Sequence, residues 1–265
     1  MSPSSPLLVA QLSDLHLFST PEQTLLGLQT MASFAAILDA LRQLPQQPDV
    51  ILLTGDLAQD ESSAAYEQIA QRIAPLNIPT YWLPGNHDHS PSMASILNQP
   101  PIYLDKAFQM GGWQFLMLDS TVAQQVHGKF SAQHLEQLEQ QLQANTNPTL
   151  IALHHPPVTI DSAWLDNLGL QNSEAFFAVV ERYPHVKLAI FGHIHQQVEQ
   201  HRRGIAYLST PSTCVQFAPH QKTFALDETR PGFRLLQLYP DGTFESEVQR
   251  VQIDLPQLDV AAQGY

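Results

Sequence analysis

Six short apolar runs in this sequence end in side chains that can bind a metal or move a proton. Leu7–Leu12 runs into Asp14 and His16, Val50–Thr54 into Asp56, and Thr80–Pro84 into Asn86, His87 and Asp88. Trp113–Leu118 reaches Asp119, Leu150–Leu153 reaches His154 and His155, and Leu188–Phe191 reaches His193 and His195. Singly, each is commonplace: Asp-x-His arises by chance, Gly-Asp is a turn, and His-Pro is a loop. Together, Asp14, His16, Asp56, Asn86, His154, His193 and His195 offer two carboxylates, one amide and four imidazoles. Nitrogen and oxygen donors without thiolate suit Mn, Fe, Co or Zn better than Mg or Ca. Metal-type side chains at successive strand ends make chemical sense if those ends converge.

The elements that must position them can be read from periodicity. Each apolar run has strand length and lies between turn signals. Helical spacing fills the gaps: Phe34, Ile37, Leu38 and Leu41 behind a Thr30 cap, Tyr66, Ile69 and Ile73, then Leu135, Leu138 and Leu142 behind Ser131, and Phe176, Val179 and Val180. The glutamines around the third stripe read as a solvated helix face. Strands alternating with helices imply an α/β protein whose sheets are covered. After about residue 200, Ile205–Thr210, Phe233–Tyr239 and Phe244–Val251 read as strands without intervening helices, the last two joined by a Pro240-Asp241-Gly242 turn. A layered α/β/β/α sandwich accounts for both halves as a single domain over 1–265, with a metal-site core at 7–210 and the strands of 211–265 completing a second sheet.

Composition narrows the function classes. Twelve Lys and Arg against 25 Asp and Glu give a net charge of −13, which argues against nucleic acid as a partner because a phosphate backbone calls for a basic face. It leaves room for phosphate chemistry at a buried metal, where the cation dominates the local field. The single Cys214 forms no internal disulfide and reads as a small buried residue. The Leu7–Leu12 run is too short for a membrane span, so no membrane contact is expected and a cytoplasmic location is.

The ordered segments Asp14-Leu15-His16, Gly55-Asp56, Gly85-Asn86-His87-Asp88, His154 and Gly192-His193-Ile194-His195 resemble the calcineurin-like metallophosphoesterase superfamily over residues 7–210. The resemblance implies two metal ions, Fe or Mn being favoured and Co or Zn acceptable. It makes Asp14, His16 and His195 ligands of the first, Asn86, His154 and His193 ligands of the second, and Asp56 the bridge. Which of His154 and His155 binds metal rests on the family pattern. Two metals about 3.5–4 Å apart clamp the attacking and leaving oxygens of an in-line displacement, and lower the pKa of a shared water from about 15.7 towards about 7. Two divalent cations, less both carboxylates and a hydroxide, leave about +1 for a diester anion. The resemblance also gives His87 a catalytic role beside Asp56, as a group that contacts the phosphate and helps the leaving oxygen. Substrate contacts are implied for His16, Asp56, Asn86, His87, His154 and His195. Asp88 is expected to orient a ligand or cap its turn, and His89 to be a loop residue.

Flanking stretches resemble one branch, the bacterial class III 3′,5′-cyclic nucleotide phosphodiesterases. They include Leu25-Leu26-Gly27, Leu118-Asp119-Ser120, His127-Gly128, Trp164-Leu165-Asp166 with Asn172, Pro211 through Phe217, and Pro231-Gly232-Phe233-Arg234. This implies a small-molecule partner, cyclic AMP or a related cyclic nucleotide, hydrolysed to the 5′-nucleotide by a metal-bridging hydroxide. The competing readings are a glycerophosphodiesterase or broad phosphodiesterase on the same scaffold, and a dead scaffold. A dead scaffold should have lost ligands, and all seven are present. An adenine needs a partly apolar pocket, for which Phe217, Trp164 and Cys214 are the candidate lining. A homodimer is compatible with the sequence.

Overall fold

The computed structural model describes residues 5–253, 258, 259, 262 and 264. Two six-stranded sheets carry the fold. The first has the order Phe244–Arg250, Gly232–Leu238, Leu7–Leu12, Val50–Thr54, Thr80–Leu83, Ile102–Tyr103. The second has the order Glu199–Arg202, Ile205–Ser209, Val186–Phe191, Thr149–Ala152, Trp113–Met117, Ala107–Met110. In the first sheet, Leu7–Leu12 pairs in parallel with Val50–Thr54, which pairs in parallel with Thr80–Leu83. Trp113–Met117, Thr149–Ala152, Val186–Phe191 and Ile205–Ser209 form the matching parallel block in the second.

Strand pleating sorts the side chains into layers, because successive residues point to opposite faces. Val50 and Leu52 enter one apolar cluster with Val9, Leu150, Leu188 and Ile190, all from the facing surfaces of the two sheets. Ile51 and Leu53 enter another, with Phe34, Ile37 and Leu41 of the Thr30–Arg42 helix and Tyr66, Ile69 and Ile73 of the Ser63–Ile73 helix. Ile151 and Phe191 enter a third, with Leu138 and Leu142 of the Ala132–Ala144 helix and Phe176 and Val180 of the Ser173–Val180 helix. Three apolar interfaces make four layers, the α/β/β/α sandwich that the periodicity implies. Because both faces of each sheet are covered, the parallel strands read as continuous apolar runs.

Two expectations are corrected. Thr30 is the first residue of its helix and does not cap it; Gln29 precedes it in extended conformation and makes no side-chain cap bond. By contrast, Ser131 Oγ accepts the His134 N–H and does cap the helix behind it. The late strands divide between the sheets instead of completing the second. Ile205–Ser209 belongs to the second sheet, while at the open edge of the first Gly232–Leu238 pairs antiparallel with Leu7–Leu12 and Phe244–Arg250 pairs antiparallel with Gly232–Leu238. The N-terminal strand has parallel partners on one side only, and a hairpin returning from the C-terminal part of the chain satisfies its remaining backbone groups. The end of the predicted 211–265 segment (254–257, 260, 261, 263 and 265) and residues 1–4 lie outside the described residues. Among those described, no helix is long and apolar enough to cross a membrane.

Polar ties hold the two sheets in register just below the strand ends. Gln11 Nε2 donates to Thr54 Oγ1 in its own sheet and to the Phe191 carbonyl in the other, each at 3.1 Å. Buried Arg234 reaches across from the hairpin to the Ser209 carbonyl. Trp113 is fully buried between the sheets, and its indole N–H donates to the Tyr239 carbonyl at 2.7 Å. Removing it opens a cavity at the sheet interface and leaves that carbonyl with the Gly242 N–H alone. Trp113→Ala is therefore expected to cost about 3–5 kcal/mol, read as a lowered denaturant midpoint.

Candidate metal centre and its cleft

All seven predicted donors lie just beyond the carboxyl ends of the parallel strands, and the facing of the two sheets brings them together. Five of them sit in the left-handed region: Asp14 (φ 56), His16 (φ 48), Asp56 (φ 51), His193 (φ 70) and His195 (φ 48). Non-glycine residues avoid this conformation at a cost of about 1–3 kcal/mol each, so the surroundings must enforce it. Backbone bonds between the turns do so: Asp14 N–H to Gly55 O at 3.0 Å, His16 N–H to Asp56 O at 2.9 Å, and His193 N–H to Asp14 Oδ1 at 2.9 Å. The packing leaves no room for side chains at two glycines. A Cβ on Gly55 (φ 93) would lie 2.4 Å from His154 Nδ1, and one on Gly85 would lie 2.1 Å from Asp56 Oδ1.

The imidazoles are held in defined tautomers. His16 Nδ1 meets Gln59 Oε1 at 2.6 Å, His154 Nδ1 meets the Thr54 carbonyl at 2.8 Å, and His195 Nδ1 meets the Val215 carbonyl at 2.8 Å. Those oxygens only accept, so each Nδ1 carries the hydrogen and each Nε2 presents a lone pair. These Nε2 atoms face one another and the carboxylates: His16 to His195 at 3.1 Å, His154 to Asp56 Oδ2 at 3.2 Å, and His195 to Asp14 Oδ1 at 3.5 Å. Asp56 Oδ2, Asn86 Oδ1, His154 Nε2 and both ring nitrogens of His193 are buried without a hydrogen-bond partner among the described residues. So many buried, converging acceptors are unfavourable unless protons or cations lie among them. The donor set fits metal.

Charges follow the same logic. Burial works to raise the Asp56 carboxyl, but His154 and His87 outweigh it and hold the group well below the usual carboxylate range. Burial likewise opposes charge on His154, yet the Asp56 carboxylate lifts its imidazole to about 9. Burial pushes His16 down to about 3 and His193 well below the ordinary imidazole value. Without metal, a His154–Asp56 ion pair thus takes up part of the charge that cations would balance.

The neighbouring His154 and His155, both close to His193, make different contacts. His155 engages both ring nitrogens elsewhere, with Ser120 Oγ at 2.8 Å and the Val126 carbonyl at 3.0 Å. Of these two neighbours, His154 turns Nε2 to Asp56. Asp88 ties down its own turn: its carboxylate accepts from the backbone N–H groups of Leu57, Ala58 and Gly85 and from the Tyr66 hydroxyl. Tyr66 was legible only as a core residue of its helix, and no periodicity signals this second task. His89 precedes the short Ser90–Ile96 helix, and its N–H donates to the Tyr66 oxygen at 2.8 Å. His87 N–H donates to Asp56 Oδ1 at 2.9 Å, and its half-buried ring meets His16 edge-on, with centroids 5.1 Å apart.

A cleft of about 700 Å³ opens over Asn86, His87 and His193. One wall is the segment 121–126, and the apolar part is Trp164, Leu165, Leu168 and Phe224. The predicted apolar lining is therefore corrected at two of its three positions. Cys214 is buried beside His16 and His195, with burial raising its thiol to about 12. Phe217 is stacked flat on His195, with centroids 4.2 Å apart, and lies behind that ring instead of in the cleft. Trp164 does line it. Phe224 takes the remaining place from a loop with no periodic signature.

Comparison with known proteins agrees with this geometry. The family described as calcineurin-like phosphoesterase matches residues 7–197. A 3′,5′-cyclic-nucleotide phosphodiesterase of Nostoc sp. is 46% identical over 257 residues, covering 97% of each chain. The 3′,5′-cyclic adenosine monophosphate phosphodiesterase CpdA of Escherichia coli K12 is 44% identical over 259 residues, covering 97% of this chain and 94% of that one. Among solved structures, a dimetal phosphatase from Danio rerio has the same fold, with a TM-score of 0.66 at 16% identity over 94% of this chain and all of that one. The chain belongs to the calcineurin-like phosphoesterase family.

Proposed function

We propose that this chain is a phosphodiesterase that hydrolyses 3′,5′-cyclic AMP, or a related cyclic nucleotide, to the 5′-nucleotide. The reading rests above all on the convergence of imidazole lone pairs and carboxylates at the floor of a cleft. The names of relatives that align along nearly their whole length support the choice of substrate. In this reading Asp14, His16 and His195 hold one metal ion, Asn86, His154 and His193 hold the other, and Asp56 is shared. Fe or Mn is favoured, with Co or Zn also suited to nitrogen and oxygen donors. We also take residues 1–265 as one domain. The family match ends at 197, yet the hairpin from 232 to 250 extends the same sheet that carries Asp14 and Asp56.

When bound, two such cations supply Lewis acidity at the phosphoryl oxygens and an activated water. The protein's share is to fix the geometry. The Gln59, Thr54 and Val215 oxygens hold Nδ1–H of His16, His154 and His195, so Nε2 is the atom each ring turns toward a metal, His154 first giving up the proton it shares with Asp56. The His87 N–H bond to Asp56 Oδ1 holds the shared carboxylate and the His87 turn in one arrangement. Water oxygen adds to phosphorus, giving up one proton to solvent, as the bond to the 3′ oxygen breaks and that oxygen takes up a proton. His87, on the cleft side of Asp56, is the group in this reading that donates it. The apolar side of the cleft, with Trp164 and Phe224, suits the base.

Asp56→Asn is expected to lose metal and activity together, as read by elemental analysis and hydrolysis of cyclic AMP; a metal-replete, fully active variant contradicts the shared-carboxylate role. His87→Ala is expected to keep most of its metal while turnover falls by about 10²–10⁴. Parallel loss of metal in His87→Ala would move that residue among the ligands. A panel of cyclic AMP, cyclic GMP, a glycerophosphodiester, a chromogenic diester and a monoester on metal-loaded protein tests the substrate. Cyclic AMP or cyclic GMP is expected to give the highest kcat/KM, and a preference for the glycerophosphodiester would favour the alternative.

A further inference from the structure

His155 is fully buried next to the proposed centre, its ring centroid 5.0 Å from that of His154 and 4.9 Å from that of His193. Its hydrogen bonds nevertheless run to the cleft wall. The Val126 carbonyl, 3.0 Å from Nε2, only accepts, so Nε2 carries the hydrogen and Nδ1 accepts the Ser120 hydroxyl at 2.8 Å. Ser120 Oγ in turn accepts the His155 backbone N–H at 3.3 Å. The two bonds grip the start and the end of the 121–126 segment, which lines the same cleft as His87.

That segment needs such a grip. Residues 123–126 are exposed, and Val126 presents an apolar side chain that is 47% accessible. The loop is closed below by Lys129 N–H to Ser120 O at 2.9 Å and is anchored at Gly128, whose N–H donates to the Gly169 carbonyl. Gly128 lies directly on the imidazole: a Cβ there would be 2.5 Å from the His155 ring. The loop thus packs against one histidine at Gly128 and hangs from it at Ser120 and Val126. The same ring abuts two of the proposed metal-binding imidazoles.

We propose that His155 is a positioning residue for specificity, a strut that sets the spacing between the 121–126 wall and the proposed metal centre, and so admits the nucleoside part of a cyclic nucleotide. This rests on the cyclic-nucleotide reading above. The strut acts on the organic half of the substrate and leaves the phosphate chemistry alone.

The test uses full-length metal-loaded protein and three variants. His155→Asn is too short to reach the Val126 carbonyl, and is expected to raise KM for cyclic AMP about tenfold, the scale of one lost hydrogen bond. Its kcat, its metal content and its kcat/KM on a small aryl phosphodiester stay within about twofold of the parent. His155→Gln, whose amide nitrogen falls where Nε2 lies, restores most of the KM. Gly128→Ala, which pushes on the ring with the histidine intact, raises KM as His155→Asn does. Amide hydrogen exchange over 120–129 should quicken in His155→Asn and Gly128→Ala but not in His155→Gln. Loss of metal, equal loss on both substrates, or an unchanged KM for cyclic AMP in His155→Asn overturns the proposal. If the parent protein cleaves the aryl diester but not cyclic AMP, the substrate reading fails by itself. The exchange arm then still judges the strut, and unchanged exchange overturns it.

Discussion

The fold is organised around a local electrostatic conflict. Nε2 of His16, His154 and His195 and the oxygens of Asp14 and Asp56, all fully buried, are crowded to within 3.1–3.8 Å. No arrangement of the protein's own hydrogens settles this, because each Nδ1–H is already committed to an oxygen that only accepts. In the metal-free chain a proton on His154 relieves part of it, as the rise of that imidazole to about 9 indicates. Two cations would relieve the rest.

Holding such a site open requires rigid support, and the sandwich supplies it. Two parallel blocks face each other across a dry apolar layer, with their carboxyl ends on the same side. Gln11 and Arg234 fix the relative height of the sheets close to the turns that carry the donors. Left-handed backbone at Asp14, His16, Asp56, His193 and His195 aims the side chains inward, at a conformational cost the strand ladders absorb. The site is thus tied by backbone and side-chain bonds at its floor, and the 121–126 segment and Phe224 line the cleft above it.

Much of this was legible in the sequence, for physical reasons. Strands covered on both faces are continuous apolar runs, and donors follow them directly because the turns are tight; so Asp14, Asp56, Asn86 and His193 could be read off. The four layers followed from two blocks of alternating strand and helix. The partner sheet of the C-terminal hairpin was not legible, because edge pairing depends on which strand is left with unsatisfied backbone, and no local pattern records that. Thr30 resembles a cap but is helical, since the preceding extended pair, Thr24–Leu25 with Leu28–Gln29, feeds the helix directly. The different surroundings of His154 and His155 come from Thr54 and Val126, which are distant in sequence. Tyr66 behind Asp88 and Phe224 in the cleft were hidden for the same reason.

The central claim is that the buried donors form two half-sites sharing Asp56. Anomalous diffraction from crystals of the metal-loaded protein tests it most directly. The account predicts two metal peaks per chain, one on each side of the Asp56 carboxylate, the first next to Asp14, His16 and His195 and the second next to Asn86, His154 and His193. A single peak in fully active protein, or peaks that leave Asp56 unbound, would contradict it.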